Sequence, residues 1–162
     1  MSEKEIIAAL GKTCNIIYGH DTQFHMAVVD PHTGYLITKG SKTIESRLSK
    51  VRQNPHERVN AGDVVLIKTA GGPIIGAVRV SRAIYFTNLN EEDIHELKEK
   101  YNDCIQANDA YWNRKMSSRY GTLLFLTDNC VSERPLHVNK SDRRPWITFN
   151  EKNMSMIMIG RK

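Results

Sequence analysis

Apolar and polar positions alternate in several short stretches of this chain, and alternation predicts strands. The clearest case is Thr43-Ile44-Glu45-Ser46-Arg47-Leu48. Successive side chains on a strand point to opposite faces. Glu45 and Arg47 then share one face with Thr43, while Ile44 and Leu48 take the other, with Ser46 between them. Further strands are expected at Phe24 to Val29, Val64 to Lys68, Ile74 to Phe86, Thr122 to Leu126, Val131 to Val138 and Trp146 to Phe149. Asp30-Pro31 ends the first, because proline restricts its predecessor and lacks a donor. Ala70-Gly71-Gly72-Pro73 turns the chain between two of them and predicts a hairpin. The run Thr122 to Leu126 is apolar enough for burial on both faces. Met154 to Ile159 alternates too weakly to place.

Helical periodicity is confined to four places. Ser2-x-x-Glu5 has capping-box spacing. Ile6, Ile7 and Leu10 then form one apolar face, and Gly11 is the stop. Tyr35 to Ile37 suits a short helix ending at Gly40. Asn90 can cap a helix whose first turn holds Glu91, Glu92 and Asp93, acids that complement the helix dipole. Ile94, Leu97 and Tyr101 share its buried face. A last helix runs from about Asp109 to Met116, with Trp112 and Met116 facing the core. Residues 12–24 form a connector lying along the sheet, and residues 49–62, with Pro55 and a closing Asn60-Ala61-Gly62-Asp63, form an exposed loop. Strands and helices in this order predict an α+β fold: a small β-barrel with flanking helices.

A chain of 162 residues is most simply one folded unit with a real core. No apolar run is long enough for a transmembrane helix, and Met1-Ser2-Glu3-Lys4-Glu5 lacks the pattern of a signal peptide. Cys14, Cys104 and Cys130 are odd in number and widely spaced, so neither a disulfide framework nor a zinc site is expected. A reducing cytoplasm is the simplest compartment. The histidines have no metal-ligand spacing with carboxylates or cysteines, so no metal and no cofactor is expected. The formal net charge is +5, which is compatible with a polyanionic partner. Basic residues crowd into Lys39 to Arg58 and again at Arg114-Lys115, Arg119 and Lys140 to Arg144. They either meet as one patch in the fold or remain scattered solvated charges.

The candidate chemistry centres on Gly40-Ser41-Lys42-Thr43-Ile44-Glu45-Ser46-Arg47. Two cations flank one carboxylate here, which can bind an anion or a polar base, or move a proton if burial shifts one partner. Gly-x-Lys-x-x-Glu-x-Arg resembles the signature of the ASCH domain family, a member of the PUA-like group of small β-barrels. Gly40, Lys42, Glu45 and Arg47 fill its fixed positions. The surroundings extend the likeness over about residues 24–150. They comprise His25-Met26-Ala27-Val28-Val29 before the octet, Gly62-Asp63-Val64 after it, Ser118-Arg119-Tyr120, and Arg143-Arg144-Pro145-Trp146. The resemblance implies an ASCH domain over 24–150; outside it lie an N-terminal helical extension over 1–23, expected from its capping and periodicity, and a C-terminal tail over 151–162. It also implies a partner: RNA or a nucleotide or nucleoside, bound in a cleft at the barrel mouth. Oligomeric state is not implied.

Several of these residues have more than one reading. Lys42 either contacts a phosphate or base, or acts as nucleophile or base, or else pins the strand through an ion pair to Glu45. Glu45 either accepts from the amino group of a base or is held in salt bridges. Arg47 orients Glu45 or holds a phosphate, since a guanidinium does not transfer protons. Gly40 shapes the entry to the strand. Arg119 and Tyr120 lie at a helix-to-strand junction and suit a ligand, as does Arg144 beside Trp146. His25, close to the octet by topology, is a ligand contact or a structural histidine. Some ASCH proteins are amidohydrolases on acetylated cytidine with a Lys–Thr–Glu set. That lysine falls on Lys42, but the threonine position is Glu45 here, and the distant glutamate has no alignable counterpart. If the chain is an enzyme, Lys42 and Glu45 are the implied catalytic pair, acting on acetylated cytidine or cleaving RNA.

Overall fold

The computed structural model describes residues 3–10, 14–140, 142–149 and 157–159. The elements run α1 (Glu3–Leu10), β1 (Phe24–Val29), α2 (Pro31–Thr38), β2 (Ile44–Ser49), β3 (Val64–Thr69), β4 (Ile74–Phe86), α3 (Glu91–Ile105), α4 (Asp109–Lys115), β5 (Tyr120–Leu136), β6 (Val138–Lys140), β7 (Trp146–Thr148) and β8 (Ile157–Ile159). The fold is α+β. Six strands in the order β2-β5-β4-β3-β1-β7 curl into a half-barrel, and β6 pairs with β8 separately. The Ser2 cap, the Ile7 side chain and the Gly11 stop lie outside the described residues, as does most of the tail. No described helix is long and apolar enough to cross a membrane.

Local sequence explains the element ends. Asp30 caps α2 by accepting from the Thr33 amide, and Pro31 opens the helix with its φ already fixed. Asn90 and Asp93 form a reciprocal capping box on α3, both bonds at 2.9 Å. Asn108 caps α4 through the Tyr111 amide at 2.8 Å. The β3–β4 hairpin turns at Gly71, where φ is +70°. One long strand, β5, replaces the two separate ones expected over residues 122–138. It bends rather than breaks, and its register against β4 shifts in three places.

Burial falls into three clusters. Ile6 and Leu10 of α1 pack on Met26, Leu66 and Ile147, and α1 is thereby part of the core. Ala27, Ile37, Val65, Ile67, Val80 and Trp146 form the second. The third joins Ile44 and Leu48 of β2 to Ile94, Ile105 and Trp112 of α3 and α4. The alternation of β2 is thus realised: its apolar face is roofed by α3 and α4.

The cysteine expectation is overturned. Cys14 and Cys130 form a disulfide with Cα atoms 5.2 Å apart, across 116 residues of sequence. Sequence spacing carries no information about a pair brought together by the path of the N-terminal segment over β5. The spacing argument for a reducing compartment falls with it. Cys104 is free and exposed.

Candidate functional site

The edge position of β2 creates the site. Strands β2 and β7 end the sheet, and no ladder joins them among the described residues. A cleft of about 620 Å³ opens beside β2, within the range of small-ligand sites. Its walls are the β1–α2 junction, β2, the loop at Gln53 to Pro55, the α3–α4 corner and α4.

Lys42, Glu45 and Arg47 meet in this cleft. Glu45 sits between the cations: Arg47 Nε donates to its Oε1 at 2.8 Å, and Lys42 Nζ lies 3.6 Å from its Oε2. Lys42 also donates to the Ile105 carbonyl at 2.5 Å, at the C-terminus of α3. Exposed carbonyls carry the negative end of the helix dipole there, so an ammonium is favoured. The entry to β2 is fastened to that end of α3: Thr43 N–H donates to the Cys104 carbonyl at 3.1 Å, and the Gln106 side-chain amide donates to the Ser41 carbonyl at 2.7 Å. Arg47 reaches across the open seam, donating to the Val28 carbonyl at 3.4 Å and lying 5.4 Å from the Trp146 ring centroid. Lys42 and Glu45 are 6% and 7% exposed, so both act at the floor of the cleft.

The opposite wall comes from α4. Tyr111, Arg114 and Lys115 are three and four residues apart and therefore share one side of the helix. The Tyr111 hydroxyl meets Ser46 Oγ at 2.6 Å. Burial pushes the phenol up to about 12, with the Glu45 charge adding to it and the Ser46 bond opposing. Tyr111 therefore stays protonated at neutral pH and can donate a hydrogen bond, as it does to the Ser46 carbonyl at 3.3 Å. Lys115 donates to the Leu48 carbonyl at 3.0 Å. Burial holds its ammonium below the ordinary lysine value, and the Arg47 and Arg114 charges push the same way. The α3–α4 corner is fixed by Asn102, whose side chain bonds both polar groups of Ala107 and accepts from the Trp112 indole at 2.9 Å.

The other sequence candidates lie outside the cleft lining. Gly40 has φ +82°, and a Cβ there would sit 3.0 Å from the Asn129 side chain, so it shapes the turn before β2. His25 is fully buried: Nε2 bonds Asp63 at 2.8 Å, and Nδ1 lies 2.9 Å from the Thr148 hydroxyl. Arg119 is an exposed residue whose amide bonds the Ser49 carbonyl. Tyr120 packs edge-on against His56, with ring centroids 5.4 Å apart. Arg144 is exposed and paired with Asp142, while its neighbour Pro145 does line the cleft.

Tyr111, Arg114, Lys115 and Ser46 belong to the cleft, although sequence reasoning did not place them there. The spacing on α4 was visible; its partner strand was not. Among the described residues no group of three or more histidine, cysteine or acidic side chains is gathered as metal ligands.

No family model matches the chain, and no curated protein does. Solved structures do match. A crystal structure of a tyrosine-to-phenylalanine mutant of ASCH from Zymomonas mobilis is similar over 82% of this chain and 94% of that one, at 14% identity and a TM-score of 0.62. A second crystal structure of ASCH from the same organism covers 82% and 92%, at 13% identity and a TM-score of 0.58. The chain has the ASCH fold.

Proposed function

We propose that this ASCH-fold protein recognises RNA or a nucleotide in the cleft beside β2. The observation that carries the reading is the Glu45 carboxylate, held by Arg47 on one oxygen and approached by Lys42 on the other, at the floor of a nucleotide-sized cavity. Each carboxylate oxygen has two acceptor sites, so Glu45 keeps capacity for the amino group of a base. Four cations against two carboxylates line the cleft, which favours an anionic ligand.

Fluorescence anisotropy with a labelled single-stranded RNA tests this. Binding is expected at low salt and weakens steeply as salt rises. Glu45→Gln and Lys42→Met both weaken it. Absence of binding at low salt overturns the reading.

The separation of 3.6 Å between Lys42 Nζ and Glu45 inside the cleft favours a second reading, an enzyme on RNA or a modified nucleoside. Incubation with acetylated cytidine, or with RNA, and quantitation of products decides it. Turnover lost in Lys42→Met supports this reading; no turnover of either substrate removes it.

A further inference from the structure

The two ends of the cleft differ in charge. At the β1–α2 end, Asp30 accepts from the Thr33 amide at 2.9 Å and from the Thr33 hydroxyl at 2.5 Å. A carboxylate already occupies the N-terminus of α2, so that end disfavours a second anion. At the α4 end the balance is reversed. Glu45 is shared by Lys42 and Arg47. Asp109, the acid in the first turn of α4, is taken by Lys98 at 2.9 Å. Arg114 is exposed and makes no hydrogen bond or ion pair among the described residues. Lys115, half-buried, bonds only the neutral Leu48 carbonyl and the Tyr111 ring face, 5.7 Å from its centroid.

Both cations sit in the last turn of α4, where they complement the helix dipole. That accounts for their charge. It does not account for two cations beside a third, Arg47, whose Glu45 is already shared with Lys42, while the other lining carboxylate, Asp30, belongs to the β1–α2 end. An anion between them would relieve like-charge repulsion as well as accept charge-assisted hydrogen bonds.

We propose that Arg114 and Lys115 form a phosphate site on the α4 wall, so that the ligand of the cleft is a nucleotide or a nucleotide unit of a single strand rather than a free nucleoside. The inference rests on the reading of the cleft as a nucleotide or RNA site. It fixes a polarity: phosphate against α4, base toward Glu45 on the floor.

The test is calorimetric titration of the full chain with the four ribonucleosides and their 5′-monophosphates, with inorganic phosphate as competitor and single-stranded RNA as reference. The monophosphate of the preferred base binds about tenfold tighter than its nucleoside or better, and inorganic phosphate competes with it. Arg114→Gln removes most of that preference and leaves nucleoside affinity in place. Lys100→Gln, which removes an exposed charge elsewhere, keeps the preference. Equal affinity for nucleoside and monophosphate, or a preference intact in Arg114→Gln, overturns the phosphate site while leaving the cleft reading standing. Binding of neither nucleoside, monophosphate nor RNA overturns both.

Discussion

Two groups of polar side chains are buried in this half-barrel, and they differ in how completely they are satisfied. In the first, His25 bonds Asp63 through one ring nitrogen and meets Thr148 through the other, with the Trp146 indole 3.3 Å from that same nitrogen. Asp63 also accepts from the Asn60 amide at 2.9 Å. Neither His25 nor Asp63 lines the cleft beside β2; the network ties β1 to β7 and to the turn before β3. In the second, Lys42, Glu45 and Arg47 bond one another but open onto a cleft where Arg114 and Lys115 lack anionic partners. A satisfied network serves the fold. An electrostatically incomplete one, facing a cavity, is where a ligand finds its contacts.

The largest expected effect breaks the comparison if it fails. Asp63→Ala leaves the buried His25 and the Asn60 amide without an acceptor and costs about 2–4 kcal/mol. Urea unfolding reads this as a lower midpoint. RNA affinity of the folded fraction stays unchanged; a parallel loss of affinity would mean that the two networks are not separate in role. Glu45→Gln reverses the pattern. It weakens RNA or nucleotide binding about tenfold or more, with a smaller stability loss than Asp63→Ala.

Acidity probes the first region and its neighbour. Burial holds His25 below the ordinary histidine value, and Asp63 only partly opposes it. His56 is held down by burial, which the Gly121 backbone opposes and the Arg52 charge reinforces. Both are neutral in the folded protein and take up protons more readily when unfolded. Their contribution to stability is therefore complete above about pH 6.5 and is lost as pH falls below it. Denaturation midpoints at pH 7.5 and pH 5 should show the decline. Beyond a weak contact with the Gly121 backbone, neither ring nitrogen of His56 makes a hydrogen bond of good geometry, and the ring lies between the Tyr85 and Tyr120 rings. His56→Phe should gain about 1 kcal/mol at neutral pH and flatten the decline. A midpoint independent of pH would contradict the assignment.

The smallest effect sharpens the comparison. If Arg114 contacts one phosphate, Arg114→Gln lowers the slope of log affinity against log salt by about 0.7 for single-stranded RNA. An unchanged slope would place the phosphate elsewhere.

The octet illustrates what was legible. Alternation over 43–48 put Ile44 and Leu48 on one face and Glu45 and Arg47 on the other; the fold added the neighbours, α3 and α4 for the first pair and Val28 with Trp146 for Arg47. The Asn90 cap of α3 was equally readable, as was the start of α4 near Asp109, whereas its Asn108 cap emerged only in the structure. His25, Arg119, Tyr120 and Arg144 were candidates by nearness to the motif or to other aromatics, and the fold places them outside the cleft lining. Nearness along the chain does not say which side of a curled sheet a residue meets.

The sequence by itself determined the local pieces: the strand carrying Glu45 and Arg47 with Lys42 at its mouth, the capped helices, and the α+β class. These follow from steric periodicity and from hydrogen bonds closed within a few residues. Tertiary structure decided that Cys14 meets Cys130, that His25 meets Asp63, and that Tyr111 with its neighbours Arg114 and Lys115 faces β2 across 65 residues, Ser46 to Tyr111. Such pairings depend on strand order and on the roof that α3 and α4 make over an edge strand, and no periodicity in the chain encodes a distance through space.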